Sequence, residues 1–421
     1  MIYIQMCSTY APSWAFGGVV RILYGYAGHM AGRVDTWVLA GNLDERQRVV
    51  SSGFDDAQNY SVQRYGFLSR RLARRNIHTP SVRMLWDLVR LAKRHKGLVV
   101  LHLGELRGAV NLYALLARFV VGRRLRIIHS AFGGLHEKPS RLRAAYDRLL
   151  MGPFLKSLDL AIAQNEHEAG EYRQLMSAFG ARASQDRISI LPLHFDHPTS
   201  DRTGWFENGA KAPAARRAVR RALELPQEAL IFCFLGRFHP KKGILRAIDL
   251  FCGWKAESGD DTAQFLIIGR DEGFEQEIRR HAANSAFPDS IRIITGIYAE
   301  RFDYFYASDV FIGVPTMFEE TMLASLEALS CGTPLLLSRE ADAPYIEEER
   351  AGRVIDFDLE TAKAALKEIV GDYERFSRQA LATSVHFERG PVLTALDALL
   401  SQLTEETVQH HARTPALGSD L

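Results

Sequence analysis

Residues 310–338, VFIGVPTMFEETMLASLEALSCGTPLLLS, restrict the fold of this chain more than any other stretch. An apolar strand over 310–314 meets a Pro-Thr turn at Pro315-Thr316. From about Thr321 the residues favour helix, and Gly332 with Pro334 ends that helix in the order expected of a stop. A second apolar strand over 335–337 follows at once. Strand, loop, helix and strand in so short a span form a βαβ unit, whose two strands must run parallel.

Chemistry is concentrated on its loop and helix. The N–H groups of Met322, Leu323 and Ala324 open the helix without partners inside it, and a helix start is suited to a diphosphate. Glu327 can accept from both hydroxyls of a ribose. Glu319, on the loop, can do the same for a transferred sugar. Each such charge-assisted bond is worth about 1.5–3 kcal/mol net. Two solvated acids near a helix start would look the same in isolation, since that position favours acids anyway. The spacing resembles that of the retaining glycosyltransferases of family 4, whose signature is Glu, seven residues, Glu, then a Gly-x-Pro exit. Glu319, Glu327 and Cys331-Gly332-Thr333-Pro334 match it.

A second motif lies about 80 residues upstream, in IFCFLGRFHPKKGILRAIDLF. A strand ends at Gly236, Arg237 follows, and Lys242-Gly243 begins a helix. Two cations at the end of a strand can grip two phosphates, although Lys241 reads as no more than part of a basic turn. In the family, Gly-Arg, four residues, Lys-Gly holds the donor diphosphate, and Gly236, Arg237, Lys242 and Gly243 match without gaps. The resemblance thus assigns Arg237, Lys242 and Glu319 to catalysis and Gly236, Gly243, Met322, Leu323 and Glu327 to donor binding.

At 421 residues the chain suits two domains, and its 47% apolar content can fill two cores. A formal charge of +2 gives no global pull toward nucleic acid. The four cysteines are scattered without a CxxC pair, so they read as free thiols in a reducing compartment. The first residues lack a basic segment followed by a long apolar run, and no stretch of 18 apolar residues occurs, which predicts neither secretory leader nor transmembrane helix.

In the first half, residues 2–8 predict a buried strand, followed by Gly17-Gly18 and a helix over 19–31. Glycine lets backbone approach a ligand closely, and a Gly-Gly loop with an upstream Pro12 resembles the family's donor-facing loop. Residues 61–96 carry ten Lys or Arg against the single acid Asp87. They predict two amphipathic helices with either solvated basic faces or a contact with anionic lipid through residues 64–96. Where the family ends a strand in His-Gly, this chain has Phe132-Gly133, with histidines displaced to His129 and His136. Further strands are predicted at 35–40, 97–103, 125–129, 158–164 and 188–193. Asp356-Phe357-Asp358 has the look of a metal motif, but it falls after the last strand, away from the phosphate grips, and no metal site is assigned.

These readings predict an α/β chain with two doubly wound Rossmann-like domains, the GT-B arrangement with a central cleft. Residues 1–200 form the acceptor-side domain, 201–228 a linker with a short basic helix, 229–403 the donor domain with terminal helices, and 404–421 a disordered tail. The resemblance implies a metal-independent hexosyltransferase that retains anomeric configuration. It would take a UDP- or GDP-linked sugar, use no cofactor, and act on a glycan or lipid-linked glycan in the cytoplasm or at the inner membrane face. Nucleic acid is not an expected partner. A nicotinamide-dependent dehydrogenase would need GxGxxG after a strand, which the chain lacks. A catalytically inactive nucleotide-sugar-binding scaffold of a glycan assembly complex is the alternative.

Overall fold

Runs of Val, Ile and Leu without polar alternation are what a sheet covered on both faces requires, and both halves of the chain build such a sheet. The structure is a computed structural model that describes residues 1–14, 17–44, 48–55, 59–69, 79–135, 141–181, 187–195, 204–296 and 300–413. The chain divides into two units, residues 1–193 with 389–421, and residues 194–388.

In the first unit β1 (Ile2–Cys7), β2 (Asp35–Gly41), β3 (Gly53–Asp55), β4 (Tyr60–Tyr65), β5 (Val99–Leu103), β6 (Leu125–Ser130), β7 (Leu160–Ala163) and β8 (Ile188–Ile190) form one sheet. Its order is β3-β4-β2-β1-β5-β6-β7-β8, parallel except where β3 runs against β4. Helices Arg83–Arg94, Ala109–Val121, Gly152–Ser157 and Glu166–Ala178 bury Met84, Leu88, Tyr113, Phe154 and Tyr172 in one apolar cluster with Ile4, Leu101 and Ile127 of the strands.

The segment expected as helix from Arg64 onward begins instead as a strand, Tyr60–Tyr65 beside β2, and the second expected helix is observed at Arg83–Arg94. Tyr60 and Val62 are buried on one face of the strand while Ser61 and Gln63 are half-buried on the other, a strand period that Arg64 and the arginines after it obscure. The basic run over 70–78 lies outside the described residues.

In the second unit β11 (Ile231–Leu235), β12 (Gln264–Gly269), β13 (Ile291–Thr295), β14 (Val310–Gly313), β15 (Leu335–Ser338) and β16 (Gly352–Ile355) follow two short strands, β9 (Phe206–Glu207) and β10 (Ala210–Lys211). The large sheet is all parallel, ordered β13-β12-β11-β14-β15-β16, with the strand order reversing direction at β11 and β14. In such sheets ligands bind at that reversal, beyond the carboxyl ends of the strands. The sequence-predicted βαβ unit is observed, with its helix at Leu323–Ser330 between β14 and β15.

Residues 204–228 are not a free linker. Asn208 and Gly209, both at positive φ, turn β9 into β10 as an Asn-Gly hairpin. Lys211 enters the second unit, donating to the Tyr306 carbonyl at 3.0 Å and to Thr333 Oγ1 at 2.8 Å, and burial lowers its ammonium to about 7. Helix Pro213–Ala222 sends Arg216 and Arg220 to Asp309, which precedes β14 and also accepts from the Ile231 N–H at 2.8 Å.

The C-terminus differs from expectation as well. Helix Arg389–Arg413 neither closes the second domain nor gives way to a tail at 404. It belongs to the first unit, where Asp397 meets His29 and Arg33 of helix Gly18–Ala31 at 3.0 and 2.9 Å. Buried Val392, Leu393, Leu396 and Leu400 repeat at helical spacing and explain why it docks. Residues 414–421 lie outside the described residues.

Asp309→Ala leaves the Arg220 guanidinium, 1% exposed, without its carboxylate. The second unit should lose about 3–5 kcal/mol in urea unfolding, as expected when one partner of a buried ion pair is removed. A loss below 1 kcal/mol would contradict that anchoring role.

Candidate functional site

The two motifs of the second unit meet at the carboxyl ends of β11 and β14. His239 caps a single 3-10 turn, Pro240–Lys242, through Nδ1, which accepts the Lys241 N–H at 3.1 Å. Gly243 then takes a left-handed conformation, φ 68°, and opens helix Ile244–Ser258. Here glycine is required on two grounds. Its φ disfavours any β-carbon, and a β-carbon would lie 1.8 Å from the Val314 carbonyl oxygen. That carbonyl also accepts from Arg246 Nε at 2.5 Å, and Thr316 N–H donates to the Lys241 carbonyl at 2.8 Å. The loop after β11 is thereby fastened to the loop after β14.

This fastening sets Lys242 against Glu319, with Nζ donating to Oε1. Their side chains are 12% and 25% exposed, so the pair is largely withdrawn from water. Glu319 is fixed through its backbone as well, its N–H donating to the Glu340 carbonyl at 2.6 Å. Glu319 Oε2 is buried and has no hydrogen-bond partner among the described residues. A buried carboxylate oxygen left in that state costs about 1–3 kcal/mol, so it calls for a donor from elsewhere.

Met322 is the N-cap of helix Leu323–Ser330 and is buried; no side chain caps that helix start. The N–H groups of Leu323 and Ala324 therefore open the helix without a capping oxygen, the arrangement that attracts anions.

Two predicted residues have firm protein partners. Arg237 is half exposed and its Nη1 donates to Glu272 Oε2 at 2.9 Å, on the loop after β12. Gly236, at the end of β11, presents its carbonyl 1.9 Å from where a β-carbon on Gly269 would stand, so these neighbouring strand ends approach as only glycine permits. Glu327 is buried, and both its oxygens accept from Arg301, Nε at 2.9 Å and Nη2 at 2.5 Å. A ribose at Glu327 would have to share that carboxylate with the guanidinium.

The sequence reading missed Arg301, Arg246 and Asp309. A buried acid requires a counter-cation, so Glu327 itself was the signal for Arg301, a lone cation ahead of aromatic Phe302, Tyr304, Phe305 and Tyr306. Asp356 pairs with Arg339 at 2.8 Å, and Asp358 caps helix Leu359–Gly371 by accepting the Thr361 N–H at 2.9 Å.

Gly17 and Gly18 lie in the first unit. Gly17, at φ 95°, starts helix Gly18–Ala31, again with no capping side chain. Phe132 and Gly133 both have positive φ, and the Gly133 N–H donates to Glu168 Oε1 at 2.7 Å. His129 does not replace the missing family histidine at the loop. It is fully buried on β6, with Nδ1 2.6 Å from the Tyr172 hydroxyl. His102 on β5 lies between Tyr3 and Ser130, 2.7 and 2.9 Å from their hydroxyls. His136 lies outside the described residues.

Residues 215–381 match the family described as Glycosyl transferases group 1. The D-inositol 3-phosphate glycosyltransferase of Acidothermus cellulolyticus is 29% identical over 194 residues, 44% of this chain and 40% of that protein. Its Streptomyces griseus counterpart is 26% identical over 274 residues, 61% of this chain and 56% of that protein. The chain thus spans about half the length of these curated relatives. Among solved structures, Anabaena Alr3699/HepE in complex with UDP superposes with a TM-score of 0.71 at 14% identity, covering 96% of this chain and 100% of that one. The chain has the GT-B fold.

Burial holds His102 down to about 3 and His129 to about 4. Unfolded histidines titrate near 6.5. Between that value and 4 the unfolded chain binds more protons than the folded one, so stability falls as pH drops through this window. The slope is at most about 1.4 kcal/mol per pH unit for each histidine. Urea unfolding between pH 7 and 4 should show it, and His129→Gln should flatten it; an unchanged slope would contradict the neutral, buried assignment.

Proposed function

We propose that this chain is a retaining, metal-independent hexosyltransferase of family 4. It moves a hexose from a UDP- or GDP-linked donor to a hydroxyl of a glycan or lipid-linked glycan. The observation that supports this best is the Lys242–Glu319 pair, with its buried, unpartnered carboxylate oxygen, on two fastened loops. Glu319 Oε2 takes a sugar hydroxyl as its missing donor. Lys242 supplies a cation, and the uncapped helix start at Leu323 and Ala324 supplies two oriented N–H groups.

Breaking the bond between sugar and diphosphate builds negative charge on the leaving oxygens. Lys242 and the helix start are fixed before reaction, so they stabilise that charge without reorganising, which is where catalytic gain is largest. Arg237 joins them by exchanging Glu272 for phosphate. Gly243 lets the two loops approach, Gly236 sets the end of β11 against Gly269 and binds the donor with it, and Glu327, oriented by Arg301, receives the ribose. For Gly17 and Gly18, in the first unit, the donor-binding role is the one that their resemblance implies.

Solved complexes of Alr3699/HepE hold UDP and UDP-glucose, which supports a nucleotide sugar as the donor. Among the described residues no helix is long and apolar enough to cross a membrane. The enzyme acts in the cytoplasm, at the inner membrane face when its acceptor is lipid-linked, with contact through residues 64–96.

Lys242→Ala should lower turnover by at least about a hundredfold, the scale of losing one charge-stabilising group, with the folded state retained by circular dichroism in the absence of ligand. Near-normal turnover would sink the phosphate role. In a thermal-shift panel, the correct donor at 100 times its Kd should add about 2.7 kcal/mol. A donor that binds but is neither transferred nor hydrolysed would instead identify an inactive scaffold. Proton NMR of the product should show the donor's anomeric configuration, and chelation should leave the rate unchanged; an inverted product or loss with chelator would overturn those two assignments.

A further inference from the structure

The helices over one sheet face of the first unit bury their inner sides, but their outer sides are unusual for a surface in water. Phe119, on helix Ala109–Val121, is 90% exposed, and Leu116 and Val120 beside it are 43% and 49% exposed. Spacings of three and four residues put all three on one side of that helix. Helix Arg83–Arg94 packs against it and exposes Trp86 at 72%, with Arg90 and Lys93 four and seven residues further along the same side. On the other flank Leu149, also 72% exposed, follows exposed Arg148.

Charge on this surface is one-sided. Arg90, Lys93, Arg94, Lys96, Arg148 and Lys156 are exposed. The acids nearest in sequence are already engaged: Asp87 accepts from the Tyr65 hydroxyl at 2.9 Å, and Asp147 from Arg107 Nε at 2.9 Å. Single exposed apolar residues are ordinary, whereas large aromatic and aliphatic side chains set among cations mark an interaction surface. Aromatic rings settle at the polar-apolar boundary of a bilayer, while Lys and Arg meet anionic headgroups.

We infer that this helix face of the first unit, with Phe119 and Trp86 inserted and the Arg90, Lys93 and Arg94 cations at headgroup level, docks on an anionic lipid bilayer. It deepens the reading above of an enzyme at the membrane face. It also extends the contact from residues 64–96, which hold Trp86, to Phe119 on the next helix. Nucleic acid would explain the cations but leaves Phe119, Leu116 and Val120 in water. A second protein would cover those three but gives no account of the one-sided charge.

The test is co-sedimentation of the full chain with vesicles of phosphatidylcholine, alone or with about one-third phosphatidylglycerol, while turnover on a soluble acceptor or donor hydrolysis is followed separately. Binding should require phosphatidylglycerol and weaken as salt rises. Each of Arg90→Glu, Lys93→Glu and Arg94→Glu should weaken it at least about fivefold, the factor corresponding to one surface cation. Phe119→Ser with Trp86→Ser should weaken it at least about tenfold, with the melting temperature and soluble turnover retained. Equal binding to both vesicle types, or unchanged binding by these variants, overturns the inference. So does a concentration-dependent dimer that Phe119→Ser dissolves, or retention on duplex DNA, if vesicles are ignored. Because turnover is read apart from binding, an inactive enzyme that still binds vesicles would fault the transferase reading and leave the docking surface standing.

Discussion

The Val314 carbonyl occupies the space that any side chain at residue 243 would need, and the second unit's chemistry depends on that contact. It holds the end of β14 against the turn after β11, so that Lys242 and Glu319, distant in sequence, become neighbours. Arg246 reinforces the contact from the following helix, reaching the Val314 carbonyl and Ser338 Oγ while its guanidinium covers the Phe357 ring at 4.3 Å. One arginine thus ties together the ends of β14 and β15. The loops are positioned by backbone and by a half-buried cation, which leaves the functional side chains to be selected for their chemistry.

Two other carboxylates act at the opposite ends of the same segment. Asp309 precedes β14 and gathers Arg216, Arg220 and the Ile231 N–H, while Glu327 sits in the helix after it and holds Arg301. Buried ion pairs of this kind gain little over apolar packing, yet they punish any mispairing severely. They are therefore suited to fixing how a strand and its helix sit. The cost falls on function, because Glu327 has less freedom toward a ligand than its sequence position implies.

Much of the second unit was legible because its signals are local. The apolar runs of β11, β14 and β15, the Gly-Pro stop after Ser330 and the Arg237-to-Gly243 spacing each need only a short window. The partners of the charged residues were not, since the Arg301–Glu327 and Lys242–Glu319 pairs span 26 and 77 residues. The β9–β10 hairpin was missed despite its Asn208-Gly209 turn, because polar Gly- and Pro-containing flanks look like a linker. β4 was missed because arginines masked a period of two. In the first unit, the displaced histidine was recognised as a departure, but the Tyr172 hydroxyl that meets His129 Nδ1 lies 43 residues away.

The last helix, Arg389–Arg413, packs onto the first unit through Asp397 and a row of leucines. The second unit is therefore an insertion within the first, entered after Leu193 and left at Glu388. On a ribosome the inserted unit is complete before the residues that finish its host have emerged. The first unit must wait, with the groove for its final helix open, through the synthesis of nearly 200 further residues. Chaperone dependence during translation would then be concentrated in the amino-terminal half, although that half is made first.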